Sequence, residues 1–181
     1  IMAQENNNMQ SQAMNFGSYM GIFWILKFGL FPLGMTTPFL SFVFLMLTIA
    51  VPVLGFHYAR VYRDRYCGGG IGFGQAFVFT WMMYLFASLL TALAHYIYFA
   101  YIDNGFILNH CEAQIVSIEQ SGLPDIEEMV KLLKESLANL KSLNAIDITM
   151  QLLSQNAFMA ILIAIPTALF VTKKAPQQTN N

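Results

Sequence analysis

The sequence predicts an all-α membrane protein: four transmembrane helices in an antiparallel bundle, with an extracytoplasmic helical hairpin between helices three and four. Three observations predict it. The 181 residues are 56% hydrophobic and 10% charged, against roughly 25% charged in a soluble globular domain. The apolar residues fall in four blocks, each near or above the roughly 20 residues that cross a bilayer as a helix. Arginines dominate one connection between those blocks and acids another. At this length one bundle accounts for the chain better than several domains. A net charge of −1 supplies no general attraction for nucleic acid.

The start, IMAQENNNMQSQ, has neither a basic residue nor a cleavage-site pattern, so it does not read as a signal peptide. Ile1 ahead of Met2 reads as a processing scar. Residues 1–13 are expected to be a polar cytoplasmic tail, mobile from Gln4 to Gln12, and 175–181 a similar tail. Between them, 14–174 form the transmembrane domain, with 103–147 as an insertion.

The first span is expected over 14–31, stopping at Pro32, and the second over 39–58, after Pro38. The short LGMTT between them allows only a tight turn, so these helices should be antiparallel neighbours. Within the first span, Gly17 and Gly21 form a GxxxG spacing that lets helices approach closely. Packing inside the bundle is the default reading; pairing with a second copy is the alternative. Pro52 and Pro166 inside spans two and four are expected to be static kinks.

The third span is expected over 75–102 and the fourth over 150–172. The third is longer than needed, so its end should tilt or project into water. Arg60, Arg63 and Arg65 lie between spans two and three, and Lys173 and Lys174 follow span four. The positive-inside rule puts both groups, and both termini, in the cytoplasm. Their expected roles are fixing topology and touching anionic lipid. Tyr58, Tyr62, Tyr66 and Trp81 then mark the inner boundary, and Tyr96, Tyr98 and Tyr101 the outer one.

The glycine-rich CGGGIGFG at 67–74 lacks the Lys and the Ser or Thr of a phosphate-binding loop. It reads as flexible re-entry into span three. Gly68–Gly70 are expected at positive φ, and Gly72 and Gly74 at close backbone contacts.

The segment 103–147 carries eight acids and three lysines, and should lie outside the cytoplasmic membrane. Ile126, Met129, Val130, Leu133, Leu137 and Leu140 recur at helical spacing, and form a candidate partner surface. Leu108, Cys111, Ile115 and Ile118 make a second stripe, separated from the first by SGLP at 121–124. Pro124 is expected in the first helical turn, with Glu127–Lys131 and Lys131–Glu135 pairing one turn apart. The stripe can pack on its own partner helix, on the bilayer or on another protein. Cys67 and Cys111 fall on opposite sides of the membrane, so this topology forbids a disulfide between them.

His57, His95 and His110 share no metal-binding spacing, and no catalytic constellation emerges. Neither a metal nor another cofactor is expected, and the chain is not expected to be an enzyme. No acidic residue lies inside a span, which weakens proton-coupled transport.

Lys27 is the one clear charge inside a span. At 1.5 Å per residue it lies about 16 Å beyond Phe16, in the middle or outer half. It can snorkel toward the turn near Pro32. Alternatively it faces polar groups within the bundle: Gln75, Ser88, Thr91, His95 or Asn156. Lys27 and His95 are the candidate ligand residues.

Several segments together resemble a Gram-negative bacterial family catalogued as domain of unknown function 4199. They are GIFWILKF at 21–28, YRD at 62–64 with the glycines and GFGQAF at 72–77, the outer acidic segment, and a last span ending in Lys173 and Lys174. The resemblance covers nearly the whole chain and implies a four-helix inner-membrane protein. It brings no activity or site residues.

The function expected first is a non-enzymatic accessory or scaffold subunit of the bacterial cytoplasmic membrane. Its partners would be membrane lipids and another envelope protein or a second copy. The alternative is a small transporter or lipid-binding protein that uses Lys27 at the bundle interior.

Overall fold

The computed structural model describes residues 2–122 and 124–174, and the side chains of those from residue 8 onward. The described residues form six α-helices: α1 (Met2–Thr36), α2 (Pro38–Tyr66), α3 (Phe73–Ile97), α4 (Phe106–Gln120), α5 (Glu127–Lys141) and α6 (Ala145–Val171). A π-helical turn, Tyr98–Ile102, extends α3. Helices α1, α2, α3 with its π-turn, and α6 are long and apolar enough to cross a membrane. They also expose large apolar side chains such as Phe39, Ile49, Leu93 and Phe170, as lipid-facing helices do and water-facing ones rarely can.

The four expected spans are all present, but each helix is longer than its apolar block. α1 reaches back to Met2, so the segment expected as a tail is helical. Ala13 is fully buried and Met9 packs on the core, which extends the helix beyond its apolar run. α1 also continues through Pro32 to Thr36 rather than stopping there. Proline removes one helical hydrogen bond, and membrane helices tolerate this when neighbours satisfy the freed groups. Near this end the Ser41 hydroxyl donates to the Gly34 carbonyl at 2.6 Å. The segment 175–181 lies outside the described residues.

α1 packs on α2 and α3, α3 on α6, and α6 on α2. The contact of α1 with α3 depends on Gly17 and Gly21. A Cβ at Gly17 would lie 2.7 Å from the Met83 carbonyl oxygen, and one at Gly21 2.8 Å from Leu90 Cδ2. The GxxxG pair therefore serves packing within the chain. α2 approaches α3 at Gly55, where the Tyr84 ring occupies the space a side chain would need. The Tyr84 hydroxyl donates to the Val51 carbonyl at 3.2 Å, beside Pro52.

At one end the chain is tied across its length. Ile71 and Lys173 exchange backbone hydrogen bonds of 2.8 and 3.1 Å. Arg63 Nη1 donates to the Val171 carbonyl at 3.0 Å, a carbonyl of the last turn of α6. Arg63 Nε also pairs with Asp64 at 2.7 Å, and its side chain is only 11% exposed. Arg63 is thus a helix-end clamp, whereas Arg60 and Arg65 are exposed. Of the three glycines expected at positive φ, Gly68 and Gly69 take it and Gly70 does not. Gly72 and Gly74 meet nothing within 4 Å, so the close approach expected of them does not occur. Removing the clamp with Arg63→Ala should cost about 1–3 kcal/mol, the range for losing a charge-assisted bond. Amide exchange at Ile71 and Lys173 should rise with it; unchanged exchange there would separate the clamp from the bridge.

α4 packs on α5. Ile115, Val130 and Leu137 are buried together, with Leu108, Cys111, Ile118 and Ile126 around them. The two stripes read from the sequence therefore meet each other. The ion pairs differ from expectation. Lys134 binds Glu119 at 2.7 Å and Lys141 binds Glu112 at 2.6 Å, across the two helices. Neither Glu127–Lys131 nor Lys131–Glu135 forms among the described residues. Pro124 lies before α5, which starts at Glu127; Asp125, at φ 61°, turns the chain between them. Among the described residues neither Cys67 nor Cys111 forms a disulfide.

Candidate ligand-binding site

Three helices each turn one face toward a common space. On α1, Trp24, Lys27, Phe28 and Phe31 share a face at i, i+3, i+4 and i+7. On α6, Ile148, Leu152 and Asn156 are spaced four apart. On α3, Thr91 and His95 are one turn apart, and Phe99 follows on the π-turn. These residues line a pocket of about 340 Å³. Phe44 of α2, Ile107 and Leu108 of α4, and Leu140 of α5 complete the lining. Every helical element of the described chain contributes.

The start of α4 is placed over the pocket by Asp103. This residue is buried, and its Oδ1 accepts from the Ile107 amide at 3.2 Å. Its carbonyl accepts from the Phe106 amide at 2.8 Å. Gly105, at φ 80°, makes the reversal that a side chain would strain.

The lining is mostly aromatic and aliphatic, and the aromatic side chains are locked together. Phe28 packs edge-on to His95 at 4.3 Å and to Tyr98 at 5.3 Å, and Phe31 meets Phe44 at 5.5 Å. Trp24 stacks on Tyr84 at 5.9 Å. Lys27 Nζ stands 5.3 Å from the centre of the Phe44 ring, a cation–π distance. Among the described residues it has no carboxylate partner. Among the described residues, two further polar atoms of the lining are buried without a hydrogen bond: Trp24 Nε1 and His95 Nδ1. Both residues are more than nine-tenths buried, at 8% and 6% exposed. Unsatisfied buried polar atoms are uncommon in folded chains, and two on one pocket call for an explanation.

The candidate residues separate accordingly. Lys27 and His95 are brought together, with Thr91 and Asn156 beside them. Gln75 and Ser88 are not part of this group: Gln75 lies near Cys67 Sγ, and the Ser88 hydroxyl bonds the Leu85 carbonyl. The Thr91 hydroxyl donates to Ala87 O, so it presents its remaining acceptor capacity. The ammonium of Lys27 leans on α2 through Phe44. His57 is exposed and His110 accompanies Gln114 on α4. No group of three metal-ligating side chains exists among the described residues.

The stripe on α5 divides in three. Val130 and Leu137 are buried against α4 and Ile126 is partly so. Leu140 lines the pocket. Met129 and Leu133 remain exposed, as does Leu132, which the spacing did not single out. Sequence reasoning also missed Trp24, Phe28, Phe31 and Phe44. The signal for three of them was the i, i+3, i+4, i+7 series from Trp24 to Phe31, of which Lys27 is a member.

A family model described as "Protein of unknown function (DUF4199)" matches residues 15–173. No curated protein and no solved structure matches the chain.

Proposed function

Because the chain belongs to the family of proteins of unknown function DUF4199, which brings no activity with it, we propose its function from the pocket: it binds an amphiphilic molecule inside the membrane. The observation that carries this reading is the 340 Å³ space shared by all the helical elements, apolar in most of its lining yet holding an uncompensated lysine. That volume falls within the roughly 300–1,000 Å³ of small-molecule sites, which pair apolar walls with a few polar groups. In this reading the four long helices form an antiparallel bundle in a bacterial cytoplasmic membrane. The basic end carrying Arg60, Arg65, Lys173 and Lys174 faces the cytoplasm with both termini. The acidic α4–α5 pair forms a hairpin outside, over the mouth of the pocket. The chain works by binding, not by catalysis.

Filling the pocket tests this. In native mass spectrometry from neutral detergent, the wild-type chain should retain a bound amphiphile. Leu152→Trp should lower its occupancy at least about tenfold, equivalent to about 1.4 kcal/mol. Equal occupancy in both proteins would remove the pocket from the function.

A second reading rests on Met129, Leu132 and Leu133, which remain exposed on α5. They could seat another envelope protein or a second copy, making the chain a scaffold subunit. The same purification from native membranes separates the two. A stoichiometric protein partner lost on Leu132→Asp favours the scaffold; a bound amphiphile lost on Leu152→Trp favours the pocket.

A further inference from the structure

We infer that the occupant of this pocket is a single-chain anionic amphiphile, its oxyanion held by Lys27 and its aliphatic chain lying among the aromatic walls. The inference rests on the binding reading above and adds the chemistry of the head. Lys27 brings a basic amine to a lining that, among the described residues, holds no carboxylate to answer it. A cation held by a ring face alone keeps its three N–H donors for a stronger acceptor. An oxyanion is that acceptor, because charge-assisted bonds are roughly twice as strong as neutral ones. Trp24 Nε1 can only donate, and it is buried without an acceptor. The Asn156 amide offers two further donors on the same lining. The donors exceed the acceptors, which selects an anion over an amine or a sugar.

Size sets the other half of the assignment. At 340 Å³ the pocket lies at the small end of ligand sites, which favours one chain over two. The phosphodiester of a two-chain phospholipid shares the anionic head but leaves a second chain to place outside. The commitment is therefore to a fatty carboxylate.

Trp24 provides the readout, since a bromine atom on a bound chain quenches an adjacent indole. The full-length chain carrying Trp81→Phe keeps Trp24 as its one tryptophan. In neutral maltoside micelles at a pH where the acid is ionised, it is titrated with 2-bromoundecanoate, with 2-bromo-1-undecanol, and with a phosphatidylglycerol brominated near the head of its chains, so that each bromine lies beside the head that Trp24 faces. The carboxylate should bind about ten- to a hundredfold more tightly than the alcohol, the range set by one charge-assisted bond. Lys27→Met should abolish that preference while keeping alcohol binding, which also shows that the variant is folded. Lys27→Arg should keep the preference, and decides the matter if the methionine variant binds neither probe. A preference that survives Lys27→Met, or that is absent from the wild type, overturns the inference and leaves the binding reading standing. Quenching by the phospholipid alone overturns the single-chain assignment. Quenching by none of the three probes overturns the binding reading itself.

Discussion

A leucine at Gly17 is expected to force α1 away from α3 and to remove a large part of the stability of the four long helices. Even a methyl group there would sit 2.7 Å from the Met83 carbonyl oxygen and 2.7 Å from Phe86 Cβ. The carbonyl belongs to the α3 backbone and cannot retreat without moving the helix. Overpacking a well-filled core costs about 1–3 kcal/mol, and more where backbone must shift. In lipid the loss is felt fully, because close packing rather than water expulsion holds such helices together. Gly29 is the internal control. It lies on the same helix, is exposed, and meets nothing within 4 Å. Gly29→Leu should change stability by no more than about 0.5 kcal/mol. Unfolding in mixed dodecyl sulfate and maltoside micelles measures both. If the two leucine variants unfold at the same dodecyl sulfate fraction, the α1–α3 contact is not held by Gly17.

An aspartate at Leu137 should detach α5 from α4 while leaving the long helices in place. Leu137 is buried against Ile115 and Val130. Burying it is worth about 1.5–3 kcal/mol, and a carboxylate in its position must either drag water in or leave. The surface pairs Lys134–Glu119 and Lys141–Glu112 cannot replace that contact, since exposed pairs of this kind contribute roughly 0–1 kcal/mol each. Hydrogen exchange should accelerate across 106–141 and remain slow in α3 and α6. Leu132→Asp, at a position 59% exposed, should leave exchange unchanged. Acceleration spreading equally into α3 would mean that the α4–α5 pair and the four long helices fold as one unit.

The parts of this architecture visible in the sequence share a physical reason. Hydrocarbon forces a helix on any segment that crosses it, so the apolar blocks located all four long helices. The same argument is silent on where a helix ends in water. That is why α1 runs back to Met2 and α2 on to Tyr66, beyond the expected bounds. The α5 stripe was readable because its other face is polar. Inside the membrane that contrast disappears: Phe42 is exposed and Phe44 lines the pocket, yet both are phenylalanines in one apolar run. Lys27, His95, Thr91 and Asn156 could be named because each is out of place in hydrocarbon. Their meeting could not, since it depends on helices far apart in the chain converging at one level.

The knot of hydrogen bonds at Ile71, Lys173, Arg63 and Val171 gives the molecule a hinge side and a free side. The end joined by main-chain bonds resists spreading. The opposite end is held by the Ser41–Gly34 bond between α1 and α2, by Asp103, and by side chains of α4 and α5 that line the pocket. Breathing of the four long helices is therefore expected to be largest on the α4–α5 side. A guest entering or leaving the pocket would travel past Ile107 and Leu140, like a letter through the open edge of a folder bound along its spine.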